Sequence, residues 1–165
     1  GERFVGSVPL PSDLEIVGLD SGVLPRGERG GDAGPSGDDA LAQRFRSLLA
    51  AEPSLVKRTE LGDQLFLAHA AYGTSGRGEA ATDFLVEQAK LRRAAGGAVL
   101  GAKATGRGGG GTVVLLGEHG KVWYEALRIK KALLQHTGHS AHVFRWSSPG
   151  ALSFDAIDLR PTAKG

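Results

Sequence analysis

Six residues, Gly106 to Gly111, separate two short apolar runs, and all of them except Arg107 are glycine. Glycine loses more conformational entropy on folding than any other residue, so such a run implies a backbone that only glycine can adopt. One chemistry served by a bare backbone is phosphate binding, in which unhindered N–H groups cradle the anion. Two common cradles can be tested against the spacing. The P-loop needs Gly, four residues, then Gly-Lys-Ser/Thr opening a helix. Gly101 and Gly106 have that spacing, but Arg107 and Gly108 follow. The dinucleotide fingerprint also opens a helix, whereas Thr112-Val113-Val114-Leu115-Leu116 is strand-like. Two readings stay open. One is a β-hairpin turn with positive φ angles. The other is a longer loop whose backbone approaches a ligand or a second surface closely. A hairpin turn needs only about two or three residues, fewer than the run supplies.

Other side chains are candidates for chemistry. Asp20 and Ser21 end an apolar run, and a carboxylate beside a hydroxyl suits the donors and acceptors of a sugar; the same pair also suits a turn that closes a strand. His136, His139 and His142 are evenly spaced, with His119 nearby, but they straddle a helix end, a turn and a strand, so no convergence on a metal is expected. His69 and Tyr72 fall on or beside an apolar helical face and are expected to pack there. Thr82 and Asp83 suit the first turn of a helix. The basic stretches Lys90–Arg93 and Leu127–Lys131 are expected to be solvated helix faces.

These residues need elements to position them. Leu14, Ile16, Val17 and Leu19 predict a strand. The stretch 24–37, rich in Gly, Pro and charge, has no apolar face and predicts a linker. Leu41, Phe45, Leu48 and Leu49 predict a helix with Asp38 or Asp39 as N-cap, ended by Pro53. Leu61, Leu65, Ala68 and Tyr72 predict a second helix, and Ala81, Leu85 and Ala89 a third. Ala98–Lys103 and Thr112–Gly117 predict strands around the glycine run. Lys121–His136 carries Val122, Ala126, Ile129 and Leu133 on one face, with Gly138 as its stop. Ala141–Trp146 and Ser153–Leu159 predict further strands. The expected fold class is α+β: a small antiparallel sheet with helices on one face.

The whole chain sets the outer bounds. Its 165 residues suffice for one domain with a modest core. A formal charge of +2 lacks the concentrated basic footprint of a nucleic-acid binder. The absence of cysteine excludes disulfides and thiolate chemistry and fits a cytoplasmic setting. No apolar run approaches the ~20 residues of a membrane span. The chain has no methionine and starts at Gly1, so it is expected to be a piece of a longer protein.

The stretch GAKATGRGGGGTVVLLG, from Gly101 to Gly117, resembles the third signature motif of the GHMP small-molecule kinases. In galactokinases that motif runs Gly-Ala-(Lys/Arg)-x-Thr-Gly-x-Gly-x-Gly-Gly before a strand, and Lys103, Thr105, Gly106, Gly108, Gly110 and Gly111 match in place. Upstream, His69, Tyr72, Gly76, Gly78, Thr82, Asp83, Leu85 and Val86 are similar to a helix–loop–helix of the arabinokinase branch. Downstream, Thr137, Gly138 and Ser147-Ser148-Pro149-Gly150-Ala151 resemble the end of that branch. Near the start, Val8–Val23 resembles its strand followed by Asp-Ser-Gly. The matches run in family order from Val8 to Phe154.

The resemblance implies a two-lobed sugar kinase that uses ATP and Mg²⁺ to phosphorylate the anomeric hydroxyl of galactose, arabinose or a relative. It implies that this chain is the family's C-terminal, ferredoxin-like lobe. Residues 1–23 would then hold the last strand of the N-terminal lobe, 24–37 a linker, 38–160 the C-terminal lobe and 161–165 a tail. Thr105, Gly106, Arg107, Gly108, Gly109, Gly110 and Gly111 would face the ATP phosphates, and Asp20 and Ser21 the sugar. The family's Pro-x-x-x-Gly-(Leu/Ile)-(Ser/Gly)-Ser-Ser phosphate motif and its catalytic Asp segment are absent, as is the sugar-contacting Tyr-Asn stretch after Val23. No catalytic or metal-ligating residue is therefore expected in this chain, and the N-terminal kinase lobe is its expected partner, with no nucleic acid or membrane involved. An alternative function is a degenerate, non-catalytic lobe that binds a sugar or a protein.

Overall fold

The computed structural model describes residues 8–23, 38–74, 80–105 and 111–145. The linker stretch 24–37, Gly76 and Gly78, loop positions 106–110, Ser147–Ala151 and the strand expected over Ser153–Leu159 lie outside the described residues.

The apolar run near the start forms strand β1, Leu14–Asp20. Three helices follow: α1 (Asp38–Ala50), α2 (Leu55–Thr74) and α3 (Ala80–Ala94). The segments around the glycine run form β2 (Val99–Ala104) and β3 (Thr112–Glu118). Helix α4 (Val122–Thr137) and strand β4 (His142–Arg145) complete the order. Gly138 stops α4 as its pattern predicts, with φ 75° and an N–H that donates to the Leu134 carbonyl at 2.9 Å.

The strands form one antiparallel sheet in the order β2-β3-β1-β4. With α3 crossing before β2 and α4 crossing between β3 and β4, this is the β-α-β-β-α-β arrangement expected of a ferredoxin-like lobe. Helices α1 and α2 are inserted between β1 and α3. The α+β class holds. The strand expected to end a preceding lobe is placed differently: β1 is central in this sheet, bonded to β3 on one side and β4 on the other. Its Val17 and Leu19 are fully buried in the main core, which explains why it belongs here.

Two clusters lie on opposite faces of the sheet, as the alternation of strand side chains requires. Val17, Leu19, Val113 and Leu115 pack with Leu85, Val86 and Ala89 of α3 and with Ala126, Ile129 and Leu133 of α4. Leu14 and Leu116 point the other way, to Leu48 of α1 and Leu61 of α2. Helices α3 and α4 thus cover one face, as expected, and α1 and α2 add a smaller core at one end of the other.

The edge strand β2 is irregular. Val99 pairs with Gly117 and Gly101 with Leu116, so Leu100 is an extra residue in a β-bulge. Beside it, the backbone of Gly101 lies against that of Gly62 on α2, leaving no room for a side chain on either. The basic last turn of α3, expected to be solvated, instead ties helices together. Arg92 bonds Glu125 of α4, and Arg93 bonds Asp63 of α2 at 2.7 Å.

Candidate functional site

One end of the sheet gathers the residues singled out by type and spacing. Antiparallel pairing places Asp20, the last residue of β1, opposite Thr112, the first of β3. The base of the glycine-rich loop and the Asp-Ser-Gly turn therefore meet, although they are distant in sequence.

The stem of the loop is closed by Thr105. Its N–H donates to the Thr112 carbonyl at 2.9 Å, and its hydroxyl reaches the same oxygen at 3.3 Å. Across the stem, the Ser21 N–H donates to the Gly111 carbonyl at 2.8 Å. Gly111 has φ +66°, a left-handed conformation that favours glycine. A Cβ there would lie 2.9 Å from the Val23 carbonyl oxygen and 3.0 Å from Ser21 Oγ. Gly111→Ala is accordingly expected to cost about 1–3 kcal/mol, read as a lower urea midpoint. An unchanged midpoint would mean that these strand ends are not tightly apposed.

The turn after β1 is made by its own side chains. The Gly22 N–H donates to Asp20 Oδ1 at 3.0 Å, and the Val23 N–H donates to Ser21 Oγ at 3.2 Å. Ser21 is fully buried. Its hydroxyl therefore holds the strand end, the turn role that its sequence position also allows. Asp20 is only partly buried.

His69 is the residue whose role sequence reasoning understated. It is 8% exposed, yet it does more than pack. Its Nδ1 accepts from the Ala104 N–H at 3.3 Å, and its Nε2 lies 3.2 Å from Asp83 Oδ1. One ring thus joins α2, the last residue of β2 and the first turn of α3. Burial is the largest influence on the imidazole and pushes its pKa down. The charge of Asp83 opposes this and that of Lys90 adds to it, with a net value below the ordinary 6.5. Its match in the arabinokinase-like motif was the only sequence signal for this, because the Ala104 contact joins residues 35 apart in the chain.

The histidines near the end of α4 go to separate partners. His136 stacks on Phe84 with ring centroids 4.4 Å apart, His142 on Phe144 at 6.2 Å, and His139 is exposed. Among the described residues, no group of three His, Cys, Asp or Glu side chains is placed to hold a metal ion. No helix among them is long and apolar enough to cross a membrane.

No family model matches the chain. Over 132 residues it is 31% identical to an L-arabinokinase of Arabidopsis thaliana, covering 76% of this chain and 13% of that protein. Its fold matches that of a Lactococcus lactis galactokinase solved with galactose, with a TM-score of 0.55 at 16% identity, over 84% of this chain and 46% of that one. A mevalonate kinase aligns with a TM-score of 0.49 at 14% identity, over 79% of this chain and 38% of the other. The chain thus spans less than half the length of each of these three proteins. The motifs, the strand order and the arabinokinase similarity agree, and the chain is GHMP-kinase-like, homologous to one segment of an L-arabinokinase and built on the galactokinase fold.

Proposed function

We propose that the chain is the C-terminal part of an ATP-dependent sugar 1-kinase acting on a galactose- or arabinose-like substrate. In this reading it brings the glycine-rich loop to the active cleft. The observation that carries the proposal is the bond from the Ser21 N–H to the Gly111 carbonyl, which joins the two motif segments at the base of that loop. The homology to a segment of an L-arabinokinase supports it.

Phosphoryl transfer depends on positioning and on neutralising the charge that spreads over the transferred group. ATP supplies that group. In this reading the chain would supply backbone N–H groups from the segment Gly106–Gly111, and the charge of Arg107, to the phosphates. The crowded, left-handed position of Gly111 fits a loop whose approach must be kept free of side chains. Asp20, at the edge of the same end, offers a carboxylate to sugar hydroxyls, and Ser21 fixes its backbone. In this reading Mg²⁺ accompanies ATP in the complete kinase.

The chain alone, given ATP, Mg²⁺ and either L-arabinose or galactose, is expected to form no sugar phosphate. Sugar 1-phosphate made by the chain alone would overturn this division of labour. The coding frame upstream of Gly1 is expected to contain the Pro-x-x-x-Gly-(Leu/Ile)-(Ser/Gly)-Ser-Ser motif. A frame that opens near Gly1 would instead favour a non-catalytic sugar- or protein-binding lobe.

A further inference from the structure

Strand β2 is the edge of the sheet. Thr105 turns its N–H inward to Thr112, so the preceding N–H, that of Ala104, faces away from β3 and has no strand to receive it. Helix α2 covers this edge. It rises about 10 Å between Gly62 and His69, and β2 advances about 10 Å between Gly101 and Ala104. The Gly62–Gly101 contact therefore brings His69 level with Ala104, where its Nδ1 accepts the outward N–H at 3.3 Å.

That bond fixes the protonation state of the ring. A nitrogen that accepts from an N–H cannot itself carry a proton, so the single proton of the neutral imidazole resides on Nε2, directed at Asp83. A second proton, on Nδ1, would set two N–H groups against each other and break the link to Ala104. We propose that His69 is a positioning residue for the end of β2 that leads into the glycine-rich segment: its neutral ring holds the Ala104 N–H, and its protonation breaks that bond.

The charged groups acting on the ring, Asp83, Glu87 and Lys90, are all on α3, and β2 presents an uncharged amide. On α2, its neighbours Leu65, Phe66 and Gly73 carry no charge. Because burial lowers the pKa of His69, the folded chain binds fewer protons than the unfolded one as pH falls below 6.5. The stability contributed by the neutral ring is complete above that value and declines as pH falls toward the folded pKa.

The inference adds a positioning residue to the kinase reading, but its test uses neither nucleotide nor sugar, so it stands or fails separately. In the ¹⁵N-labelled chain, imidazole nitrogen shifts are expected to show the Nε2–H form near neutral pH. As the ring titrates, the Ala104 amide is expected to lose protection from hydrogen exchange by on the order of tenfold, after correction for the intrinsic rate. His69→Asn retains an acceptor and cannot take the proton, so its protection at Ala104 should not change over the same pH range. A ring protonated on Nδ1 at neutral pH would overturn the proposal. So would Ala104 protection indifferent to the titration, or a pH-dependent loss that persists in His69→Asn.

Discussion

Gly62→Ala is expected to lower the stability of the chain by about 3 kcal/mol, although alanine favours a helix over glycine by about 1 kcal/mol. The reason is what the added Cβ would meet. It would fall on the Leu100 carbonyl, deep inside the 3.4 Å of ordinary contact, and 3.2 Å from the Gly101 nitrogen. These are backbone atoms of a strand held by β3, so no side chain can rotate aside. Relief requires α2 to move off β2, which opens the cluster of Leu61, Leu48, Leu14 and Leu116 and draws His69 away from Ala104. Gly101→Ala meets the same wall from the other side, with its Cβ 2.6 Å from Gly62 Cα. Urea unfolding of both variants checks this. A Gly62→Ala chain as stable as the parent would show that α2 and β2 are not packed backbone to backbone.

Glu125→Ala is expected to cost about 2 kcal/mol by a different route. Glu125 is 5% exposed on α4 and accepts from Arg92 Nε at 2.5 Å and Arg128 Nη1 at 2.7 Å. Removing it deletes two charge-assisted bonds and leaves the half-buried Arg92 without its counter-ion. Since both arginines reach solvent, the loss is smaller than for a sealed ion pair. Burial by itself would raise the Glu125 pKa, but the hydrogen bond and charge of Arg92, then those of Arg128, hold it below the ordinary 4.5. The sign follows: its contribution is complete above 4.5 and is lost as pH falls through the lower folded value. The parent's stability should therefore fall more steeply in that acid range than the variant's. Parallel pH dependences of the two urea midpoints would contradict this.

Local patterns carried most of the secondary structure. Val122, Ala126, Ile129 and Leu133 recur at helical spacing, and all four are buried. The start of α2 was not visible in this way: Leu55 and Val56 lie in its first turn yet are 79% and 74% exposed, so they add no face to the apolar stripe. The glycine-rich segment was legible as strand–loop–strand because Thr112–Leu116 alternates little and is β-branched at its start. Gly101, however, was read only as the first residue of the stretch resembling the signature motif, and its structural use is close packing against α2. No spacing within the motif reports a contact with Gly62. The same holds for His69 and for the meeting of Ser21 with Gly111, each a pairing between distant parts of the chain. Glu125 gave no sign either, since a lone acid on a helix is ordinarily solvated and its burial follows from where Arg92 ends α3.

The central place of β1 has a consequence for how the protein is made. Its partner β3 lies roughly 100 positions later in the chain, and β4 later still. During synthesis β1 therefore leaves the ribosome long before a strand exists to pair with it, while α2, α3, β2 and β3 can associate among themselves. Pairing across the middle of the sheet, between β1 and β3, must wait until β3 has been made, and the end that joins Ser21 to Gly111 can become ordered only once β1 lies beside β3.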